Sequence, residues 1–148
     1  LRYFNPVGAH ESGLIGESPI GKPSNILPVI CNSASNGDEV TVFGGDYDTR
    51  DGSCIRDYVH VSDISNAHIL SMDKMIGGDI SGFNVFNLGS DSGISVIELI
   101  EKFEEVNKVK VNYKIGNRRE GDVVEMYSDS SKAKKILGWT PIRNIEDM

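Results

Sequence analysis

Arginines in glycine-flanked turns and strands are the residues of this sequence best suited to bind an anion. Arg56 lies in the run DGSCIRDYVHVSD, residues 51–63, which reads as a strand behind a glycine-containing turn. Arg118 and Arg119, together with Asp122, lie in the loop GNRREGD. A guanidinium presents a rigid fork of N–H donors that matches the oxygens of a phosphate. Two such positions in an acidic chain predict local anion clamps.

Ordinary surface ion pairs are the alternative interpretation of these arginines. Arg56 would pair with Asp57, and Arg119 would pair with Glu120. Such exposed neighbour pairs are common and contribute little to stability. The glycine and aspartate turns around both arginines favour the binding interpretation.

Other polar residues give weaker signals. Asn5 and Asn25 are candidate binding residues next to a long loop. His10, His60 and His68 have no cysteine or carboxylate at metal-ligand spacing, so packing with a satisfied ring is the expected role of His60 and His68. The sequence contains no G-x-S-x-G elbow, and no G-x-x-G-x-x-G follows a strand.

Composition limits the class of protein. The chain has 148 residues, 39% of them apolar and 25% charged, which is typical of one soluble globular domain. A net charge of -7 argues against a nucleic-acid or membrane-surface binder, and no apolar run is long enough to span a bilayer. Cys31 and Cys54 lack metal or redox spacing, which predicts reduced thiols in a cytoplasmic protein, with a disulfide as the alternative.

Strand and helix patterns alternate, which predicts an α/β sheet protein. Strands are expected at residues 1–5, EVTVFGG, CIRDYVHV, FNVFNLG and VKVNYKI. A long loop, residues 6–24, is typical of a binding segment. Helices are expected from about Asn25 to Ser35, from Ser62 to about Met75, after the Ser95–Glu98 capping box, and at SKAKKIL before Gly138.

Two further expectations concern the second helix and the chain ends. Ser62 is expected to be the N-cap of the second helix. Its buried face is expected to consist of Ile64, Ala67, Ile69, Leu70 and Met72. The chain begins inside a strand without Met and ends at a helix start capped by Asn144, which predicts a fragment of a longer protein.

Four stretches, in order, resemble the UDP-glucose 4-epimerase (UDP-galactose 4-epimerase) family of extended short-chain dehydrogenases/reductases. They are LRYFNPVGAH with the glycines and prolines after it, VFGGDYDTRDGSCIRDYVHVSD, NLG and RREGD. The resemblance covers essentially the whole chain and about the C-terminal half of such an enzyme. It implies strands of a Rossmann sheet plus a smaller substrate-binding α/β domain, with the NAD-binding N-terminal part outside this chain.

The resemblance implies roles for residues near the start of the chain. Tyr3, the tyrosine of RYFN, would lie against the nicotinamide end of NAD, and Asn5 would contact the nucleotide sugar. The family pattern NNL corresponds to Ser24, Asn25 and Ile26, of which only Asn25 is identical. Contacts at the other two positions would have to come from the backbone.

The resemblance also implies a uracil and diphosphate site. Thr41, Val42 and Phe43, the strand before the first glycine pair, would contact uracil. Arg56 of RDY and Arg119, the second arginine of RREGD, would bind the pyrophosphate.

Two positions complete the implied substrate site. Asp122 of RREGD would contact the ribose. Met126, four residues later, would line the sugar pocket beside the C2 substituent, whereas a one-residue slip would put Tyr127 there. A bulky aromatic residue at this position restricts the family to plain hexoses, so Met126 predicts poor but measurable use of N-acetylated sugars.

The implied reaction interconverts UDP-glucose and UDP-galactose through an NAD-mediated 4-keto sugar, in a homodimer. The family's acid–base residues form a Y-x-x-x-K motif, and no tyrosine here is followed four residues later by lysine. The catalytic residues are therefore expected before Leu1, and the chain alone is expected to be inactive. A nucleotide-sugar-binding module without catalysis, or a related dehydratase or decarboxylase, are the alternatives.

Overall fold

A computed structural model describes all 148 residues and shows an α/β fold of four helices, nine short strands and a terminal 3-10 helix. The helices are α1 (Ile26–Asn36), α2 (Val61–Ile76), α3 (Val96–Asn107) and α4 (Ser131–Leu137), and the 3-10 helix is Ile145–Asp147. The strands are β1 (Arg2–Tyr3), β2 (Asn5–Val7), β3 (Val40–Phe43), β4 (Ile55–Arg56), β5 (Tyr58–His60), β6 (Asn87–Leu88), β7 (Ile94–Ser95), β8 (Tyr113–Gly116) and β9 (Glu125–Met126).

Most strand pairs are parallel and join distant parts of the chain. β1 pairs with β6, β2 with β5, and β3 with β8, each in parallel. β4 lies between antiparallel β7 and parallel β9. Parallel pairing requires a crossover, and the helices between these strands provide it. The predicted α/β class is confirmed.

Two apolar clusters form the core. The first packs α1 and α3 against β3, with Ile30, Val42, Leu99 and Ile100 almost inaccessible to solvent. The second packs α2 and α4 around Trp139, which is 1% exposed. Each cluster buries one face of its helices, as amphipathic helices on a sheet require.

The capping residues decide where the helices begin. The Ser95–Glu98 capping box predicted for α3 is present, and Asn144 caps the terminal 3-10 helix as predicted. The prediction of Ser62 as N-cap of α2 is wrong. His60 holds that position, and its Nδ1 accepts a hydrogen bond from the Ser62 N–H at 3.0 Å. Burial, and then the charge of Arg143, lowers the pKa of His60, which favours the neutral ring that this bond needs.

The predicted buried face of α2 is partly wrong. Ile64 and Ala67 are buried and Leu70 packs partly against the second cluster, but Ile69 and Met72 are 57% and 59% exposed. The helix contacts β5, β2 and α4 along a narrow stripe, so apolar residues beside that stripe face outward.

The single predicted strand CIRDYVHV is two strands that belong to different sheets. β4 pairs with β7 and β9, whereas β5 pairs with β2. Asp57 lies between them, fully buried, and accepts hydrogen bonds from the backbone N–H groups of Ser90 and Ser128 at 2.6 and 2.9 Å. Strands β7 and β9, of two residues each, were not expected from the sequence.

Two further features concern the cysteines and the length of the helices. Cys31 and Cys54 form no disulfide with each other, and Cys31 is exposed whereas Cys54 is buried. Among the helices there is none with the length and apolarity needed to cross a membrane.

A buried carboxylate attaches the C-terminal segment to α2. The side chain of Asp63, a residue that is 2% exposed, accepts a hydrogen bond from the Arg143 guanidinium at 2.6 Å. It also accepts hydrogen bonds from the backbone N–H groups of Ile142 and Arg143 at 3.0 Å each. The Trp139 indole N–H donates to the Asp63 carbonyl at 2.8 Å. A charge buried at this depth requires such partners.

Replacing Asp63 by alanine is expected to lower the free energy of unfolding by about 3 kcal/mol, because Arg143 and two backbone N–H groups lose a buried acceptor. Urea unfolding measures the loss. Asp79→Ala, which breaks the exposed Lys74–Asp79 pair, is the matched control and is expected to cost less than about 0.5 kcal/mol. Equal losses in the two variants would contradict the assigned role of Asp63.

Candidate functional site

A cavity of about 690 Å³ opens where the long loop after β2 meets the first turn of α1. Eighteen residues line the cavity. Asn5, Asn25 and Ile26 are among them, whereas Ser24 is exposed outside the cavity. The long loop predicted to bind a ligand therefore forms one wall of this cavity.

Asn5 lines this cavity and carries an unsatisfied polar atom. Its Oδ1 is buried and has no hydrogen-bond partner, and it is the only buried side-chain oxygen or nitrogen in this state. Leaving such an atom unpaired costs about 1–3 kcal/mol. Buried polar groups are nearly always paired, so a ligand donor is the natural partner of this oxygen.

The start of α1 adds backbone donors to the same cavity. Ile26 and Leu27 are the first two helical residues, and their N–H groups have no acceptor within the helix. Asn25 occupies the N-cap position, but its side chain makes no capping bond. The positive end of the helix dipole and free N–H groups favour a negatively charged or acceptor-rich ligand.

The second group of candidate residues is an arginine–aspartate cluster. The Asp122 carboxylate accepts the Arg119 guanidinium at 2.8 Å and lies 3.3 Å from the Arg56 guanidinium. Arg56 also donates to the carbonyls of Val123 and Ile55 at 2.9 and 2.8 Å. Neither arginine pairs with the acidic residue that follows it in the sequence. The alternative prediction of ion pairs with Asp57 and Glu120 is therefore wrong.

The cluster carries one more positive than negative charge. Burial disfavours the ionised carboxylate of Asp122, but the hydrogen bond and charge of Arg119, and then the charge of Arg56, outweigh burial and lower its pKa. Arg56 is held at 12% exposure, whereas Arg119 is 59% exposed and can reach a ligand. This arrangement suits binding of a multiply charged anion.

Strand β3 places an aromatic ring beside the cluster. The Arg119 guanidinium lies 5.5 Å from the centre of the exposed Phe43 ring, within cation–π range. Thr41 and Phe43 share the outward face of the strand, whereas Val42 points into the core at 1% exposure. A ligand on this face can contact Val42 only through its backbone.

The strand register shows which residue after RREGD faces the cluster. Met126 lies beside Arg56 in the parallel β4–β9 pair, and side chains at paired positions share a face. Tyr127 points to the other face, where its ring lies beside Gly93. Of the two positions considered from the sequence, Met126 is therefore the one on the arginine side.

Tyr3 lies on the edge strand β1, and 43% of the residue is exposed. Its hydroxyl lies 3.0 Å from His68 Nε2, and His68 Nδ1 lies 2.9 Å from the Ile64 carbonyl. Because a carbonyl only accepts, Nδ1 carries the proton and the Tyr3 hydroxyl donates to Nε2. The tyrosine ring is thus held in one orientation, with an exposed face.

The candidate residues thus form three groups. Asn5, Asn25 and Ile26 line the cavity. Arg56, Arg119 and Asp122 form the cluster, with Phe43 beside it. Tyr3 lies on an edge strand. Sequence reasoning missed Glu17, whose carboxylate accepts a hydrogen bond from the Asn25 side chain at 2.8 Å. No periodic pattern connects two residues of a loop, so nothing in the sequence signalled this contact.

Comparison with known proteins decides the family. The family model described as GDP-mannose 4,6 dehydratase matches residues 1–148. The chain belongs to this family. The UDP-glucose 4-epimerase of Pasteurella multocida is 49% identical over the whole chain. The match takes in 44% of that relative, so the chain spans less than half the length of the curated relatives it matches.

Solved structures extend this match to three dimensions. A UDP-glucose 4-epimerase from Stenotrophomonas maltophila, with bound NAD and formylated UDP-arabinopyranose, superposes with a TM-score of 0.95 at 46% identity. It covers 99% of this chain and 44% of that one. The enzyme from Bifidobacterium longum, in complex with NAD+ and UDP, gives 0.92 at 46% identity over 99% and 43%. These matches confirm the resemblance and the Rossmann-like α/β fold.

The carboxylate at the centre of the cluster is expected to make the stability of this chain sensitive to acid. Because the folded-state pKa of Asp122 is lowered, its contribution to stability is present above the unfolded value of about 3.9 and is lost as pH falls through the folded value. Replacing Asp122 by asparagine is expected to cost about 1–2 kcal/mol at pH 7, because Arg119 is largely solvent-screened.

The measurement is urea unfolding of both proteins between pH 7 and pH 2. The difference between wild type and Asp122→Asn is expected to shrink below about pH 4. Asp48→Asn, at an exposed position without a side-chain hydrogen bond, is the matched control and is expected to leave stability unchanged throughout. A difference that persists at pH 2 would show that Asp122 acts through packing rather than charge.

Proposed function

We propose that this chain is the UDP-sugar-binding portion of an NAD-dependent UDP-glucose 4-epimerase, which interconverts UDP-glucose and UDP-galactose. The observation that carries the proposal is the cluster of Arg56, Arg119 and Asp122, an anion site on a fold that matches an epimerase complexed with NAD+ and UDP. The NAD-binding remainder belongs to a part of the protein outside residues 1–148.

Arg56 and Arg119 bind the diphosphate. Arg119 provides the exposed guanidinium, and Arg56, held by two carbonyls and Asp122, provides the buried one. Asp122 keeps both oriented before the substrate arrives and is in reach of the ribose. Phe43 offers an exposed ring to the uracil beside the cluster.

The cavity at the start of α1 holds the sugar end of the substrate. The unpaired Asn5 Oδ1 accepts from a hydroxyl of the ligand, which removes the cost of leaving it buried and unbonded. Asn25 contributes its carboxamide, and Ile26 contributes a backbone N–H group. A hexose rich in hydroxyls suits such a mixture of donors and acceptors.

Tyr3 is the residue of this chain proposed to contact NAD. Its exposed ring, held by His68, fits a planar nicotinamide. Bound NAD supplies the oxidation and reduction at C4 of the hexose. The chain has no Y-x-x-x-K, so the acid–base pair comes from outside it and the chain alone is inactive. Turnover of UDP-galactose by the 148-residue chain with NAD would refute this point.

In the complete protein, Arg119→Ala is expected to weaken UDP binding by about 1.5–3 kcal/mol while NAD is retained, because a charge-assisted phosphate contact is lost. Calorimetric titration with UDP measures the affinity. Arg118→Ala is the matched control, since it removes the same charge from the neighbouring residue, which bonds to Asp46 instead. Equal UDP affinities of wild type and Arg119→Ala would make Arg119 a surface charge only.

Met126 does not line the cavity at the start of α1, but its side chain shares the face of Arg56, so it is proposed to set sugar selectivity by contacting the C2 substituent from the diphosphate side. We expect efficient use of UDP-glucose and UDP-galactose and weaker use of N-acetylated UDP-sugars. Met126→Ala is expected to raise the relative use of UDP-N-acetylgalactosamine by about tenfold, a typical effect of pocket size. The kcat/KM ratio for the two sugars measures it, with Tyr127→Ala as control on the opposite face. Equal wild-type efficiency on both sugars would rule out this role.

A further inference from the structure

Asn25 occupies the N-cap of α1 but does not act as a cap. Asparagine is among the best N-cap residues because its Oδ1 accepts a backbone N–H of the first turn. Here the side chain turns away from the helix, and its Nδ2 donates to the Glu17 carboxylate at 2.8 Å. The helix forgoes its side-chain cap, and Glu17 provides the alternative partner.

The chemistry of the two groups fixes the orientation of the Asn25 amide. An ionised carboxylate only accepts hydrogen bonds, so the NH₂ end of the amide must face Glu17. Oδ1 and one N–H of the amide then remain free. In a capping conformation Oδ1 would be used by the Leu27 N–H, because Pro28 has no N–H to offer.

The Asn25–Glu17 contact lies at the cavity. Glu17, Asn25 and Leu27 all line it, together with Asn5, whose buried Oδ1 has no partner. The residues that line the cavity therefore carry three kinds of unused group: the Asn5 oxygen, the Asn25 carboxamide and the first N–H groups of α1. The Asn25 carboxamide could instead cap α1 by accepting the Leu27 N–H, and its bond to Glu17 prevents this.

We propose that Glu17 is a positioning residue that holds the Asn25 carboxamide away from the start of α1, so that both the amide and the Leu27 N–H are available to the UDP-sugar. The inference rests on the proposed function for its ligand. Without the Glu17 carboxylate, the Asn25 side chain turns back to cap α1. It then consumes its own Oδ1 and covers the Leu27 N–H.

This assignment predicts opposite effects on the helix and on the ligand. In Glu17→Ala, the restored cap protects the Leu27 amide, so its hydrogen–deuterium exchange slows and the unfolding temperature does not fall. UDP-glucose binds about threefold to tenfold more weakly, the factor that corresponds to one hydrogen bond. Glu17→Gln retains an oxygen that accepts from Asn25 and is expected to restore most of the affinity.

The experiment uses the complete protein with NAD bound and compares wild type, Glu17→Ala, Glu17→Gln, Asn25→Ala and the Glu17→Ala/Asn25→Ala double variant. UDP-glucose affinity is measured by calorimetry, and amide exchange is measured without ligand. Glu11→Ala, an acidic residue of the same loop without a side-chain contact, is the matched control and is expected to behave as wild type. If Glu17 acts through Asn25, its removal has no further effect in the double variant.

Each outcome separates this inference from the proposed function. If wild type does not bind UDP-glucose, the proposed function fails. If wild type binds and Glu17→Ala binds equally well, only the role of Glu17 fails. An additive loss of affinity in the double variant would show that Glu17 acts independently of Asn25. Unchanged or faster amide exchange at Leu27 in Glu17→Ala would show that no cap forms. Either result overturns the inference.

Discussion

The buried carboxylate of Asp57 is the interaction on which the two halves of the candidate site depend. It lies where the chain leaves β4, which carries Arg56, and enters β5, which pairs with β2 beside the cavity. By accepting the N–H groups of Ser90 and Ser128, it also ties this crossing point to the loop after β6 and to the segment after β9. Gly89 is required there, because a Cβ at this position would collide with the Asp57 carboxylate. One buried charge thus sets the relation between the anion cluster and the cavity.

Local signals in the sequence predicted the helices well and the sheet partially. Asn144 and the Ser95–Glu98 capping box lie within one turn of the helices they start, so their effect can be recognised without tertiary information. Strand pairing is non-local. Two-residue strands such as β7 and β9 have too few residues to show a periodicity of two, and the break at Asp57 depends on serines that lie over 30 residues away.

The types of the site residues were predictable, but their partners were not. The Asp57 carboxylate is used by the N–H groups of Ser90 and Ser128, whereas the Arg56 guanidinium lies beside Asp122, so Arg56 and Asp57 do not pair. Asp122 takes the place of both expected partners because the loop brings it between the guanidiniums. Motif spacing therefore identified the charged residues, and only the fold shows which charge each one meets.

Internal carboxylates explain how a chain of net charge -7 can present an anion site. Asp122 cancels one of two guanidinium charges and holds the other in place, and Glu17 occupies the amide of Asn25 without neutralising the helix start. Each carboxylate fixes a group whose side-chain entropy would otherwise be lost on binding, which is the advantage of a preorganised site. The cost is electrostatic, since each carboxylate also repels an anionic ligand. That cost is limited at the cluster because Asp122 already has two cationic partners, so the cluster remains positive.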